Sequence, residues 1–559
     1  MKRELEVLIS ALLKKAYSFD SPVELTRPDE KFGDYATNVA LQLAKKLSRN
    51  PRELAEDIAQ KFRDGLVDKI GEVTVAGPGF INLRLTDTYL QTILQLEPEN
   101  TNLSGKQIVV EYSDPNPFKV LHVGHLYSSV VGDSIANLLE HAGATVHRVN
   151  YGGDVGLHVA KTIWAVLKEL GGENPDKLAE VKESTRSEWM AAAYVKGTQT
   201  YDENEEAKAA IIVLNKSIYK IHSDKDHDSP LAIIYWTTRQ WSYDYFYVFY
   251  DRIGVHFERY IPESDTAQLG LDTVREQLVK GIYAESDGAI IFEGEKYGLH
   301  TRVFINSEGL PTYEAKEVGL SMLKMQDYKF DKSIIITGNE QSQYMSVVLK
   351  SIEQFAPNLT SRTAHLTHGI VKLKGGVKMS SRLGNISRAA ELIDAASEAA
   401  KSLGKDDSNH DLTVLGAIKY SFLKNRMGGD TIYDPEESVS LEGNSGPYLQ
   451  YAHARARSIV RKAETETKYI DSEFEAGERS LAIKITEYSE VFDKATSELA
   501  PHLIATYLYE LAQVFNRFYE SNKVVGDPRQ SVRLKLVDLY SLRLKYGLEL
   551  LGINAPELM

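Results

Sequence analysis

Apolar residues recur at helical spacing from the start of the chain. Leu5, Leu8, Ile9, Leu12 and Leu13 share one face and predict an amphipathic helix. The same spacing predicts helices over DYATNVALQLAKKL and PRELAEDIAQKFRDGL. VTVAGPGFINLRL then reads as two short strands around Gly77, Pro78 and Gly79. The stretch 97–106 is polar and turn-rich and predicts a linker, so residues 1–100 are expected to form a small α+β unit. The pattern changes at QIVVEYS, a short β-branched run that predicts a buried parallel strand. A proline-rich loop, a helix over LYSSVVGDSIANLLEHAG and a strand over TVHRVNYGG complete a βαβ unit. GAIIFEG, TRVFIN and SIIITG predict further strands of this kind, alternating with helices such as AKEVGLSMLKMQ.

The fold class predicted is α/β, with a Rossmann-like doubly wound domain over 105–390. Residues 170–250 are charged, Tyr-rich and helical, and read as an insertion at the edge of the sheet. A connecting helical region is expected over 391–430 and an all-α bundle over 431–559, with no strands after about residue 410. A length of 559 residues suits three to four domains at roughly 150 residues each. The absence of cysteine excludes disulfides, thiolate metal sites and a cysteine nucleophile, and fits a reducing cytoplasm. Lys and Arg total 65 against 79 acidic residues, a net charge of −14, so any nucleic-acid surface must concentrate its cations locally. No apolar run is long enough to span a membrane, and Glu4, Glu6, Lys14 and Lys15 are incompatible with a signal peptide. A monomer is expected.

Candidate chemistry sits where the first parallel strand gives way to its helix. The loop Pro115, Asn116, Pro117, Phe118, Lys119, Val120, Leu121, His122, Val123, Gly124, His125 runs into a helix N-terminus, which offers free N–H groups to a phosphate. Gly124 permits close approach of a nucleotide, and His122 and His125 can donate hydrogen bonds to phosphate oxygens. Some 250 residues on, Lys378, Ser380 and Ser381 lie in GGVKMSSRLG, a basic loop able to close on a triphosphate. A third cluster, His222, Asp224, Asp226, His227 and Asp228, offers metal-ligand types but reads as a solvated loop, so no structural metal is expected.

HVGH followed by KMSSR resembles the two ATP-binding signatures of class I aminoacyl-tRNA synthetases. EYSDPNPFKVLHVGH, NYGGDVG, GLPTYEAKE, NSGPYLQYAHARARSI and the terminal LGINAPELM together resemble the arginyl-tRNA synthetase family, and the resemblance covers nearly the whole chain. It implies a tRNA-elbow-binding domain at the N-terminus and an anticodon-binding bundle at the C-terminus. It implies ATP, with Mg²⁺ as its companion, against His122, Gly124, His125, Lys378, Ser380 and Ser381. Arginine would be held by Glu111, Asn116, Tyr313, Glu317 and Gln341. The chain departs from the family in three ways: Glu317 stands where aspartate is usual, Asp114 where serine is frequent, and Ser381 where KMSKS has lysine. Lys119, three residues before His122, is the candidate replacement for that lysine.

The implied partner is tRNA-Arg. His453, Arg455, Arg457, Arg461 and Lys462 fall on one predicted helix, and Arg533, Lys535, Arg543 and Lys545 on another, interleaved with Tyr448, Tyr451, Tyr507 and Tyr540. Cations for phosphates and aromatic faces for unpaired bases suit anticodon recognition. Phe80, Asn82 and the terminal Met559 join the candidate tRNA contacts through the resemblance. Two other readings stay open: a nucleotidylyltransferase acting on a small substrate, and a non-catalytic paralogue retained as an RNA-binding protein.

Overall fold

A computed structural model describes residues 1–96, 101–374, 377–378, 388–402, 409–463 and 473–559. The N-terminal unit packs helices Lys2–Tyr17, Val39–Leu47, Pro51–Gly65 and Asp87–Gln95 around three antiparallel strands: β1 (Tyr35–Thr37), β2 (Ile70–Ala76) and β3 (Phe80–Leu85), in the order β1-β3-β2. Leu5, Ile9, Leu13, Leu54, Ile58, Phe62, Ile81 and Leu83 are its buried centre. The helix expected from residue 34 begins only at Val39. Tyr35, Ala36 and Thr37 instead pair with Leu83, Asn82 and Ile81 of β3. Tertiary pairing and the strand preference of Tyr and Thr outweigh the local period there.

The central unit begins with β4 (Gln107–Glu111), β5 (Thr145–Gly152) and β6 (Arg259–Pro262). Helix Val123–His141 joins the first two, and β5 leads to β6 through helices Leu157–Leu170, Arg186–Glu203, Glu205–Ser223 and Pro230–Ile253. The insertion expected over 170–250 therefore begins earlier, because helix Leu157–Leu170 packs with the other three. They share their own core of Ile163, Val166, Ile211, Ile218 and Tyr235. At Gly197 a Cβ would stand 2.0 Å from the Lys161 carbonyl oxygen, so two of its helices touch backbone to backbone.

GAIIFEG and TRVFIN do not join the parallel sheet, which corrects the expectation. With β7 (Ala284–Ser286), the strands β8 (Ala289–Phe292) and β9 (Arg302–Ile305) form a separate antiparallel sheet, β7-β8-β9. The links between them are too short for a parallel crossover, which takes a dozen or more residues. The parallel sheet resumes with β10 (Lys332–Gly338) and β11 (Thr363–His368), giving the order β11-β10-β4-β5-β6. Alternate residues of its central strands face two cores. Ile108, Val110, Ile334 and Ile336 meet the side of helix Val123–His141, while Val109 and Ile335 meet that of helix Tyr313–Tyr328. The chain leaves β4 toward β5 on one side and returns to β10 on the other, so a topological switch point lies between β4 and β10.

A small sheet follows, made of β12 (Val371–Leu373), β13 (Val377–Lys378) and β14 (Thr431–Tyr433). β14 lies past residue 410, where no strand was expected. It is three residues long and is recruited by parallel pairing with β12, a contact 60 residues distant that no local pattern announces. Helices Ala389–Ser402, His410–Leu423, Gly446–Lys462, Ala476–Thr486, Tyr488–Glu498, Pro501–Ser521 and Gln530–Leu550 build the rest. Their core is continuous with that of helix Val123–His141.

The N-terminal unit docks on this bundle through charged groups and through Phe474 and Ile483, which pack against its core. Arg479 binds both Asp34, at 2.6 Å, and Asp87. Arg27 binds Glu490 at 2.7 Å, and the Tyr35 hydroxyl donates to the same carboxylate.

Inside the bundle, fully buried Glu478 accepts from Arg529 and Arg533 at 2.8 and 2.9 Å. Burial alone would raise its pKa, but hydrogen bonds from the two arginines outweigh that and hold it below the usual value. A carboxylate depressed in the folded state stabilises above its unfolded pKa and loses that contribution as pH falls. We expect near-UV circular dichroism of wild type to show the bundle loosening below pH ~4.5, and Glu478→Gln to loosen already at pH 7.

Candidate active site

The loop after β4 is held in a strained shape. Ser113, Asp114 and Phe118 have φ of 74°, 52° and 69°, in the left-handed region that non-glycine residues avoid. Such strain persists only where surrounding contacts enforce it. Here the Asp114 carboxylate accepts the Tyr151 N–H at 2.8 Å, and the Asn116 side-chain oxygen accepts the Gly153 N–H at 2.7 Å. The ends of β4 and β5 are thereby laced together. Phe118 is fully buried against Tyr235 of the insertion.

His122 and His125 cap the helix reciprocally. Nδ1 of His122 accepts the His125 N–H at 3.3 Å, and Nδ1 of His125 accepts the His122 N–H at 3.1 Å. Their rings stack with centroids 3.6 Å apart. With both Nδ1 atoms accepting, each neutral ring carries its proton on Nε2. Burial lowers both pKa values, His125 further through the charge of its neighbour, and Lys119 adds to both. The pair therefore presents two neutral N–H donors. Gly124 is required beneath them, since a Cβ there would meet the His122 ring at 2.9 Å. Lys119 lies at the same end, its ammonium 5.0 Å from the ring centre of Tyr194 in the insertion.

These groups open on a cleft of about 1100 Å³ at the carboxyl ends of the parallel strands. Its lining brings together Glu111, Asp114, Asn116, His122, Gly124, His125, Tyr313, Glu317 and Gln341. Tyr313 opens helix Tyr313–Tyr328 and is half exposed. His158 donates from Nε2 to the Gly153 carbonyl, so its Nδ1 accepts from the Tyr313 hydroxyl at 3.3 Å. Burial takes the His158 pKa down to about 3. Gln341 stands exposed on the rim just after β10.

Glu111 is not a free partner for a ligand cation, contrary to expectation. Its carboxylate binds Lys324, and both side chains are buried. Glu263, at the end of β6, is matched in the same way by Lys316. Burial, and next the charge of Glu111, push Glu317 up to about 8, and the same two causes raise Asp114 well above the carboxylate range. Sequence reasoning missed Glu263, Lys316, Lys324 and His158. For Lys324 a signal existed: it lies seven residues after Glu317, two turns on along the same helix face.

Lys378 ends β13, where its backbone pairs with Lys372 of β12. Its side chain, Ser380 and Ser381 lie outside the described residues. Both flanks of that segment reach the cleft: Val371 of β12 lines it, and Arg388 pairs with His122 across an isolated bridge.

A second cleft, of about 710 Å³, lies on the bundle and is lined by Tyr451, Arg455, Lys462, Tyr519, Lys523 and Met559, among others. Tyr451 is 43% exposed, and the Arg455 guanidinium lies 4.6 Å from the Tyr519 ring centre. Tyr448 is half-buried and accepts from Asn516.

Several expected RNA contacts are structural instead. Tyr540 is fully buried and stacked on Phe515 at 4.0 Å, and Tyr507 is buried and donates to the Lys484 carbonyl. Arg533 binds Glu478, Arg457 binds Asp538 and Glu557, and His453 is buried against the Pro556 carbonyl. Arg461 also binds Glu557, and Arg543 is buried. In an acidic chain, helix cations find carboxylates within the fold. In the N-terminal unit Phe80 is 43% exposed, whereas Asn82 is buried in β3. His222 is not solvated either: its Nε2 meets the Tyr235 hydroxyl at 2.7 Å, while Asp226 caps the turn into helix Pro230–Ile253.

Comparison with known proteins finds three families along the chain. The catalytic domain of class I tRNA synthetases (R) matches residues 89–433. The DALR anticodon binding domain matches 449–559, and the arginyl tRNA synthetase N terminal domain matches 3–85. An arginine--tRNA ligase of Haemophilus influenzae is 30% identical over 95% of this chain and 94% of its own length. One from Porphyromonas gingivalis is 27% identical over 100% and 99%. The solved structure of Thermus thermophilus arginyl-tRNA synthetase superposes with a TM-score of 0.81 at 27% identity, covering 100% of both chains.

Proposed function

The chain belongs to the arginyl-tRNA synthetases of class I, and from that premise we propose how its cleft performs the ligation of arginine to tRNA. The observation that carries the reading is one cleft holding two neutral N–H donors at one end and an acidic wall at the other. Arginine lies with its guanidinium toward Glu317, beside Tyr313, and its α-amino and carboxylate groups toward Asn116 and Gln341. ATP enters with Mg²⁺, which needs few dedicated protein ligands. The arginine carboxylate attacks the α-phosphate in line, pyrophosphate leaves, and arginyl-adenylate forms. The 3′-terminal adenosine of tRNA-Arg then accepts the arginyl group and AMP departs.

The protein's share is positioning and charge stabilisation. His122 and His125 donate from Nε2 to the phosphates, with Gly124 giving room. Lys378, Ser380 and Ser381 close on them, and Lys119 supplies the cation that the fourth place of KMSSR lacks. Glu111 acts through Lys324 as a positioning residue. Tyr451, Arg455, Tyr448 and Met559 receive the anticodon, and Phe80 the tRNA elbow. We propose a monomer working in the cytoplasm.

Pyrophosphate exchange with components omitted in turn tests this. Exchange should require arginine, and it should rise by at least about 100-fold on adding tRNA-Arg, a coupling of ~3 kcal/mol. Full exchange without arginine would remove the assignment of the cleft; full exchange without tRNA would remove only the coupling.

A further inference from the structure

The deep end of the cleft holds more negative groups than buried cations. Glu111 on β4, Asp114 in the following loop, Tyr151 on β5, Glu263 at the start of helix Glu263–Val279 and Glu317 line it together. Tyr344 from helix Ser342–Glu353 lines the same end, and Lys316 and Lys324 come from the helix of Glu317. Two pairs cancel locally: Glu263 with Lys316, and Glu314 with Arg302 at 2.9 Å. What remains is Glu111, Asp114 and Glu317 against Lys324 alone. Three ionised carboxylates with one ammonium would leave two uncompensated like charges lining one end of the cleft, and each disfavours ionisation of the other. Two carboxyl groups sharing one site relieve this by keeping a proton.

We propose that the Asp114–Glu317 pair holds one proton in the empty site and that the guanidinium of arginine displaces it to solvent, so that arginine binds by proton exchange. The proposal rests on the cleft being the arginine site. A guanidinium has five N–H donors and no acceptor, so it can use a carboxylate but is opposed by a protonated acid. The shift of Glu317 up to about 8, from burial and the Glu111 charge, agrees with a proton held at neutral pH. His158, already neutral, contributes none. The neutral urea of citrulline, by contrast, has a carbonyl oxygen that can accept from the retained proton. Discrimination against citrulline therefore strengthens as pH rises.

The exchange is read by calorimetric titration of the full chain with arginine, tRNA present, in phosphate and in Tris at pH 7. The difference in heat between the buffers should correspond to release of close to one proton per arginine. The Kd should fall about tenfold from pH 6.5 to 7.5. Glu317→Gln, checked by thermal melting, should at least halve the proton release and flatten the pH dependence. Saturable binding with equal heats in both buffers overturns the proposal while leaving the arginine site intact. Release unchanged in Glu317→Gln also overturns it. Absence of any arginine heat in either buffer removes the site reading itself. If Glu317→Gln does not fold, the wild-type buffer comparison decides alone.

Discussion

His125→Ala is expected to slow adenylate formation by about 10²–10³-fold, the loss typical of one donor aimed at developing charge. The KM for arginine should stay within about twofold, because the acidic wall is separate from the histidines. The effect has two components, since His125 also caps its helix: Nδ1 accepts the His122 N–H, and a lost cap costs about 1 kcal/mol. Two further variants separate them. Asparagine presents an atom near the Nδ1 position but nothing at Nε2, and should be nearly as slow as alanine. Glutamine reaches the Nε2 position with an N–H donor and should recover part of the rate. Steady-state pyrophosphate exchange read as kcat and KM distinguishes the outcomes. Asparagine at wild-type rate would show that the cap, and not the donor, is what matters.

Lys324→Met is expected to destabilise the central unit by ~3–5 kcal/mol, because it leaves the Glu111 carboxylate buried without its partner. The pair ties β4, at the centre of the sheet, to the helix that carries Tyr313 and Glu317. Loss of the ammonium therefore disturbs both the sheet and the arginine wall. The double variant Glu111→Gln with Lys324→Met removes both charges and should recover most of the stability, as replacement of whole buried pairs commonly does. Urea unfolding followed by tryptophan fluorescence checks both. Equal stabilities for the single and double variants would mean that Lys324 acts through packing alone.

Local patterns carried the parts of this molecule that are built locally. The strand QIVVE, the helix after it and the histidine pair at their junction are neighbours in sequence, so their chemistry could be read there. Residues that act at a distance could not. Glu111 and Lys324 are 213 positions apart, and only the fold reveals that the first is neutralised by the second. Parallel and antiparallel strands share the same hydrophobic run, which is why AIIF and RVFI were expected in the wrong sheet. The arginines of the last helices were legible as cations, but Arg533 faces Glu478 inside the bundle and Tyr540 faces Phe515. Residue type identified the candidates, and burial sorted them.

The charged seam between the first unit and the bundle has a consequence for synthesis. Arg27 must wait 463 residues for Glu490, and Asp87 waits 392 for Arg479. At ~5–20 residues per second on a ribosome, that is roughly 20–90 s during which a finished N-terminal unit shows its docking face to the cell. An apolar face would invite association over such an interval. Here the charges of Arg27, Asp34 and Asp87 keep much of that face hydrated and leave only the small apolar contact for Phe474 and Ile483 to be covered later, so the nascent chain can fold from its first hundred residues onward.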